Sequence, residues 1–122
     1  MDNDLIQLSA ITILFIIIFT SGYRLKQKGK PYNIFNFNIH KFLALAVLAF
    51  IIVTIYKSNN TSALNITEFL LCIITGLLFL FAIISGGLLN IEKTMPASIT
   101  IIHKLTPYLI ILSTAITLYY IL

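Results

Sequence analysis

Four long apolar runs separated by short polar segments dominate the sequence. They cover Leu5 to about Tyr23, about Phe35 to Tyr56, about Phe69 to Leu89, and about Ile99 to Leu122. Each run supplies about the 20 apolar residues that a helix needs to cross the hydrocarbon core of a bilayer. The pattern therefore predicts four transmembrane helices joined by short connections.

The amino-acid composition excludes a soluble globular fold. Of the 122 residues, 59% are hydrophobic and 10% are charged, and the mean hydropathy is +1.01. A soluble domain has about 25% charged residues, so a soluble globular fold is excluded. We expect an all-α protein with a single transmembrane domain, residues 1–122, that forms a four-helix bundle in the lipid bilayer. The chain has no glycine-rich phosphate loop, so nucleotide chemistry is not expected.

The net charge of +4 is best read as a signal of membrane orientation and not of nucleic-acid binding. Seven of the eight basic residues belong to the connections after helices 1 and 3 or to the helix starts that follow them: Arg24, Lys26, Lys28, Lys30, Lys41, Lys93 and Lys104. The positive-inside rule therefore places loops 24–34 and 90–98 in the cytoplasm and both termini outside. A cytoplasmic (inner) membrane is the expected location.

The second half of the chain repeats features of the first. Ile39-His40-Lys41 recurs 63 residues later as Ile102-His103-Lys104, and Ser21-Gly22 at the end of helix 1 recurs 64 residues later as Ser85-Gly86 at the end of helix 3. This pattern indicates two repeats, residues 5–57 and 68–122 approximately. Because each repeat contains two crossings, the copies are expected to be parallel, related by an axis along the membrane normal.

The only two histidines of the chain, His40 and His103, occupy equivalent positions in the repeats. Ionisable residues inside a membrane are costly and point to function, although a histidine near a helix end can also be a simple hydrogen-bonded residue. Zinc needs three or four protein ligands, which two imidazoles do not provide. Haem iron needs only axial ligands, so the pair predicts one haem b per chain, held between diagonal helices 2 and 4.

Seven further residues complete the predicted cofactor site: Gly22, Gly86, Ser21, Ser85, Lys41, Lys104 and Arg24. The glycines would let the backbone approach the edge of the haem closely. The serine hydroxyls would hydrogen-bond an axial imidazole or a haem propionate. The three cations would pair with propionates, although contact with lipid headgroups explains them as well.

The Ser-Gly helix ends and His-Lys helix starts resemble those of the four-helix membrane cytochromes b, in particular the cytochrome b561 and ferric-reductase-like transmembrane group. The resemblance implies a bundle whose paired histidines hold b haems and transfer electrons with quinone, ascorbate or iron as redox partner. Family members usually have ligands for two haems, whereas this chain has no second pair near the outer helix ends. The resemblance therefore implies a one-haem electron carrier that works with quinone, with other redox subunits or as a homodimer.

Three other functions remain open on the sequence. A non-catalytic membrane assembly or scaffold subunit would use the repeat only as architecture. A small four-helix transporter matches in size, but helix 1 lacks the membrane-embedded carboxylate of that class. The histidine pair could also act as a proton relay. Haem binding separates the cytochrome from all three.

Overall fold

The computed structural model describes residues 3–29, 32–89 and 96–122. Within these ranges the chain forms four helices and no strand: α1 (Asn3–Lys28), α2 (Ile34–Thr61), α3 (Ile66–Leu89) and α4 (Ala97–Ile121). The predicted all-α, four-helix class is confirmed.

All four helices are long and apolar enough to cross a membrane. The shortest, α3, has 24 residues, which at about 1.5 Å per residue exceeds the hydrocarbon core of about 30 Å. The protein is therefore an integral membrane protein.

The Ser-Gly pairs do not end their helices, which corrects the prediction from the sequence. Helix α1 continues beyond Gly22 to Lys28, and α3 continues beyond Gly86 to Leu89. Residues 24–28 were expected in a connection, but Arg, Leu, Lys and Gln favour helix even outside the apolar run. Helix α1 stops at Gly29, whose φ of 67° suits a helix C-terminus and whose N–H donates to the Leu25 carbonyl at 3.1 Å. Residues 30–31 and 90–95 of the two predicted cytoplasmic connections lie outside the described residues.

Asparagine side chains cap the N-termini of α2 and α3. The Oδ1 atom of Asn33 accepts the N–H of Phe35 at 2.8 Å. At α3, Asn65 Oδ1 accepts the N–H of Glu68 at 2.9 Å, while the Glu68 carboxylate accepts the N–H of Asn65 at 3.1 Å. This reciprocal capping box satisfies two backbone donors that a helix start otherwise leaves unpaired.

The chain forms two compact units, Met1–Thr54 and Ile55–Leu122. The first contains α1 and most of α2. The second contains the end of α2, with α3 and α4. Each unit therefore contains one Ser-Gly segment and one histidine.

Many of the buried side chains carry a hydroxyl group, whereas the exposed side chains are mainly apolar. Among the described residues, the buried polar side chains are Thr54, Thr75, Ser85, Thr106, Thr114 and Thr117. The three on α4, Thr106, Thr114 and Thr117, are spaced eight and three residues apart and therefore lie on one face of the helix. Large aliphatic and aromatic side chains dominate the exposed positions, as expected where lipid is the solvent.

Candidate functional site

In the first unit, His40 of α2 is attached to the last third of α1. Its Nδ1 atom lies 2.7 Å from the hydroxyl oxygen of Ser21, within hydrogen-bond distance. The same hydroxyl donates to the carbonyl oxygen of Ile18 at 2.8 Å. The imidazole is half-buried, so this contact fixes the ring where water has limited access.

The two bonds of Ser21 favour one tautomer of His40. A serine hydroxyl has one proton, and here it is donated to the Ile18 carbonyl. The bond between Ser21 and His40 therefore needs a proton on Nδ1, which donates to the serine oxygen. In a neutral imidazole the lone pair is then on Nε2.

In the second unit, His103 of α4 makes the equivalent contact with α3. Its Nδ1 atom lies 2.9 Å from the hydroxyl oxygen of Ser85 and 3.1 Å from the carbonyl oxygen of Ala82. A carbonyl oxygen can only accept, so Nδ1 carries a proton here too. The Ser85 hydroxyl itself donates to the Ala82 carbonyl at 3.1 Å. Both histidines thus have the same tautomer.

The glycine beside each serine provides the space for the imidazole. A Cβ atom on Gly22 would lie 3.0 Å from Cε1 of His40, and one on Gly86 would lie 2.9 Å from Cε1 of His103. Both distances are shorter than ordinary van der Waals contacts, so a larger residue would displace the ring. The flat group that approaches each glycine is thus a histidine ring of the protein itself, and contact with a haem edge stays a prediction.

The two units contain the same arrangement at equivalent helix positions. His40 lies six residues after Ile34, where α2 begins, and His103 lies six residues after Ala97, where α4 begins. Each ring is hydrogen-bonded to a serine and packed on the next residue, a glycine. The features that suggested a repeat in the sequence are therefore the residues that build this arrangement.

The three cations predicted for the site are exposed. Lys41 and Lys104 directly follow the histidines on α2 and α4, and Arg24 lies two residues beyond Gly22 on α1. Their pairing with haem propionates stays a prediction.

Two polar features could not be identified from the sequence. The Ala82 carbonyl is a backbone group and leaves no signal in residue type. The second is a hydroxyl network between α3 and α4, in which Thr75 Oγ1 lies 2.5 Å from Ser113 Oγ and 3.1 Å from Thr117 Oγ1. Threonine and serine are common in transmembrane helices, so their pairing appears only once the helices are placed.

The donor chemistry of the histidines fits a haem better than a bare metal ion. Across the described ranges, no three residues of the types His, Cys, Asp and Glu form a group that could hold a metal. A haem carries four nitrogen ligands of its own and needs only axial ligands from the protein. In each imidazole Nδ1 is bonded to an oxygen acceptor, and ligating histidines usually make such a bond with the nitrogen that does not hold the metal.

The sequence matches no protein-family model, no curated protein and no solved structure. The resemblance to the four-helix cytochromes b therefore stays a prediction.

Proposed function

We propose that this protein is a membrane b-type cytochrome that binds one haem b per chain through His40 and His103. The observation that carries the proposal is the recurrence of one arrangement, a protonated Nδ1 bonded to serine with the ring packed on glycine. A bound haem would supply a one-electron iron couple, which the side chains of this protein lack. The function is one-electron transfer.

The residues around each imidazole prepare it for ligation. The oxygen that accepts the Nδ1 proton fixes the orientation of the ring and makes Nε2 a stronger electron donor. The glycine leaves the ring room to occupy that position, since a Cβ atom would collide with it. Both effects lower the cost of ordering the ligand when the cofactor binds.

The charge distribution supports an orientation with the basic loops in the cytoplasm. Arg24, Lys41 and Lys104 belong to this basic side, where they would pair with the haem propionates or with lipid headgroups. Both termini then face the outside of a cytoplasmic (inner) membrane. The histidines lie near the helix starts on the basic side, so electrons would enter and leave near the cytoplasmic surface.

A single haem near one surface needs a partner to move electrons further. Quinone dissolved in the bilayer is one such partner, and other redox subunits or a second copy of the chain are the alternatives. No second histidine pair is present near the outer helix ends, because the chain has only two histidines. The proposal therefore limits the isolated chain to electron exchange at the basic side.

The visible absorption spectrum of the purified protein tests the proposal. The protein is expressed with ample haem, purified in detergent, and measured in the oxidised and dithionite-reduced forms together with the haem-to-protein ratio. A sharp reduced α-band and about one haem per chain are expected for bis-histidine ligation. Protein that purifies folded but without haem would overturn the proposal and leave the scaffold, transporter and proton-relay functions.

A further inference from the structure

Helix α1 has a basic extension that takes no part in the contacts of the His40 imidazole with Ser21 and Gly22. Beyond Gly22 it continues for six residues to Lys28. Arg24, Lys26 and Lys28 on this extension are all exposed. The sequence from Leu5 to Thr54 contains no acidic residue to neutralise them.

Within residues 66–89 and 96–122, the second repeat shows no such basic extension. Helix α3 continues only three residues beyond Gly86, and these residues, Gly87, Leu88 and Leu89, carry no charge. The second unit nevertheless forms the same contacts between serine, glycine and histidine. The cations of α1 therefore serve a purpose other than holding an imidazole.

The length and charge of α1 favour a position of the extension at the level of the lipid headgroups. Helix α1 has 26 residues, about 39 Å at 1.5 Å per residue, whereas the hydrocarbon core is about 30 Å thick. Tyr23 at the start of the extension is 60% exposed, and its hydroxyl accepts a hydrogen bond from Gln27 Nε2 at 2.9 Å. Exposed tyrosines are typical of the membrane interface.

A fourth cation from α2 lies at the same level. Lys41 is exposed and follows His40, whose ring packs against Gly22 just before the extension begins. We name the four cations Arg24, Lys26, Lys28 and Lys41 the basic end of the first unit.

We infer that the basic end binds the phosphate of an anionic phospholipid headgroup. Arginine pairs with phosphate through two parallel hydrogen bonds, and lysines add point charges around it. The phosphate of a bilayer lipid is at the same depth as these cations, because they lie where α1 passes through the headgroup layer. Basic clusters next to transmembrane helices favour anionic lipid in this way.

Lipid titration tests the inference independently of any cofactor. Phosphatidylglycerol or phosphatidylcholine with the same acyl chains is added to the protein in neutral detergent. The midpoint of thermal unfolding gives the apparent affinity, and native mass spectrometry gives the number of retained lipids. Phosphatidylglycerol is expected to raise the midpoint more than phosphatidylcholine does, with an effect that weakens as salt is added.

Charge-neutralising variants locate the site. Each cation near a surface contributes about fivefold in affinity for anionic lipid, so the triple variant Arg24→Gln, Lys26→Gln, Lys28→Gln should bind phosphatidylglycerol about a hundredfold more weakly. The affinity of the single variant Lys26→Gln for phosphatidylglycerol should be about fivefold lower. This variant replaces the triple variant in the test if the triple variant does not fold. Lys57→Gln removes an exposed cation near the other end of α2 and is the matched control with unchanged affinity.

Four results would overturn the inference. The first is equal stabilisation of the protein by the two lipids. The second is an equal loss of affinity for phosphatidylglycerol in Lys26→Gln and Lys57→Gln. The third is the same midpoint shift with inorganic phosphate at the same concentration, which would indicate a site for small anions. The fourth is the same shift with a polyglutamate peptide in the absence of lipid, which would indicate an acidic protein partner.

Discussion

The Cε1 atom of His103 lies 2.9 Å from the position that a Cβ atom on Gly86 would occupy. The ring is also held by hydrogen bonds, because Nδ1 is bonded to Ser85 and to the Ala82 carbonyl. A side chain at position 86 can be accommodated only if the ring moves away from these acceptors. The position of the imidazole therefore depends on the glycine at position 86.

We predict that Gly86→Ala lowers haem affinity about tenfold or more, in the range found when groups that orient a metal ligand are changed. Haem titration of the purified apoprotein measures the effect. Gly87→Ala is the matched control, since a Cβ atom there meets nothing within 4 Å. A similar loss in both variants would show that the cause is the altered helix and not the contact with His103.

Ser85→Ala tests the influence of the serine on the electron density of the imidazole. His103 keeps the Ala82 carbonyl as an acceptor at 3.1 Å, so the haem should remain bound. Losing one acceptor of the Nδ1 proton weakens Nε2 as a donor, which disfavours oxidised iron. The reduction potential should rise by about 20–40 mV, which corresponds to about 0.5–1 kcal/mol for one electron.

Spectroelectrochemical titration measures that potential. Ser9→Ala removes an exposed serine hydroxyl from α1 and should leave the potential unchanged. An unchanged or lower potential in Ser85→Ala would contradict the role given to the serine.

Removing either histidine tests the ligand pair itself. We predict that His40→Ala and His103→Ala each abolish the low-spin bis-histidine spectrum, since one axial ligand is lost. Cys72→Ala changes a half-buried side chain of α3 and should retain the full spectrum. A bis-histidine spectrum in either histidine variant would rule out that residue as an axial ligand.

Hydropathy predicted the four spans but not where the helices end. The predicted first span stopped at about Tyr23, whereas α1 continues to Lys28, and the second stopped at Tyr56, whereas α2 continues to Thr61. Hydropathy reports the apolar core of the bilayer, and a helix of good helix formers continues beyond that core. Backbone signals such as the positive φ of Gly29 decide the actual end.

The residues that recur in the sequence contact one another in the structure. A single serine, glycine or histidine in a transmembrane helix does not indicate a site. The recurrence of all three residues in both halves of the chain reflects the same contact in each unit. Ser21 and Ser85 were expected to bond an imidazole or a propionate, and the structure provides the imidazole. The acceptor from Ala82 stayed hidden, because every residue has a carbonyl and only helix placement selects one.

The hydroxyl network of α3 and α4 gives a last prediction, which concerns stability. Thr75 Oγ1 donates to the Leu71 carbonyl at 2.9 Å and lies within hydrogen-bond distance of Ser113 and Thr117 across the helix pair. Hydrogen bonds between transmembrane helices average about 0.6 kcal/mol, so Thr75→Val should lower the free energy of unfolding by about 1 kcal/mol.

Reversible unfolding in mixed micelles measures this free energy, with Thr20→Val as the control. Thr20 is exposed and bonds only within its own helix, to Ile16 among the described contacts, so its loss should stay within about 0.5 kcal/mol. Equal losses would mean that the threonine hydroxyls act within single helices and do not join α3 to α4.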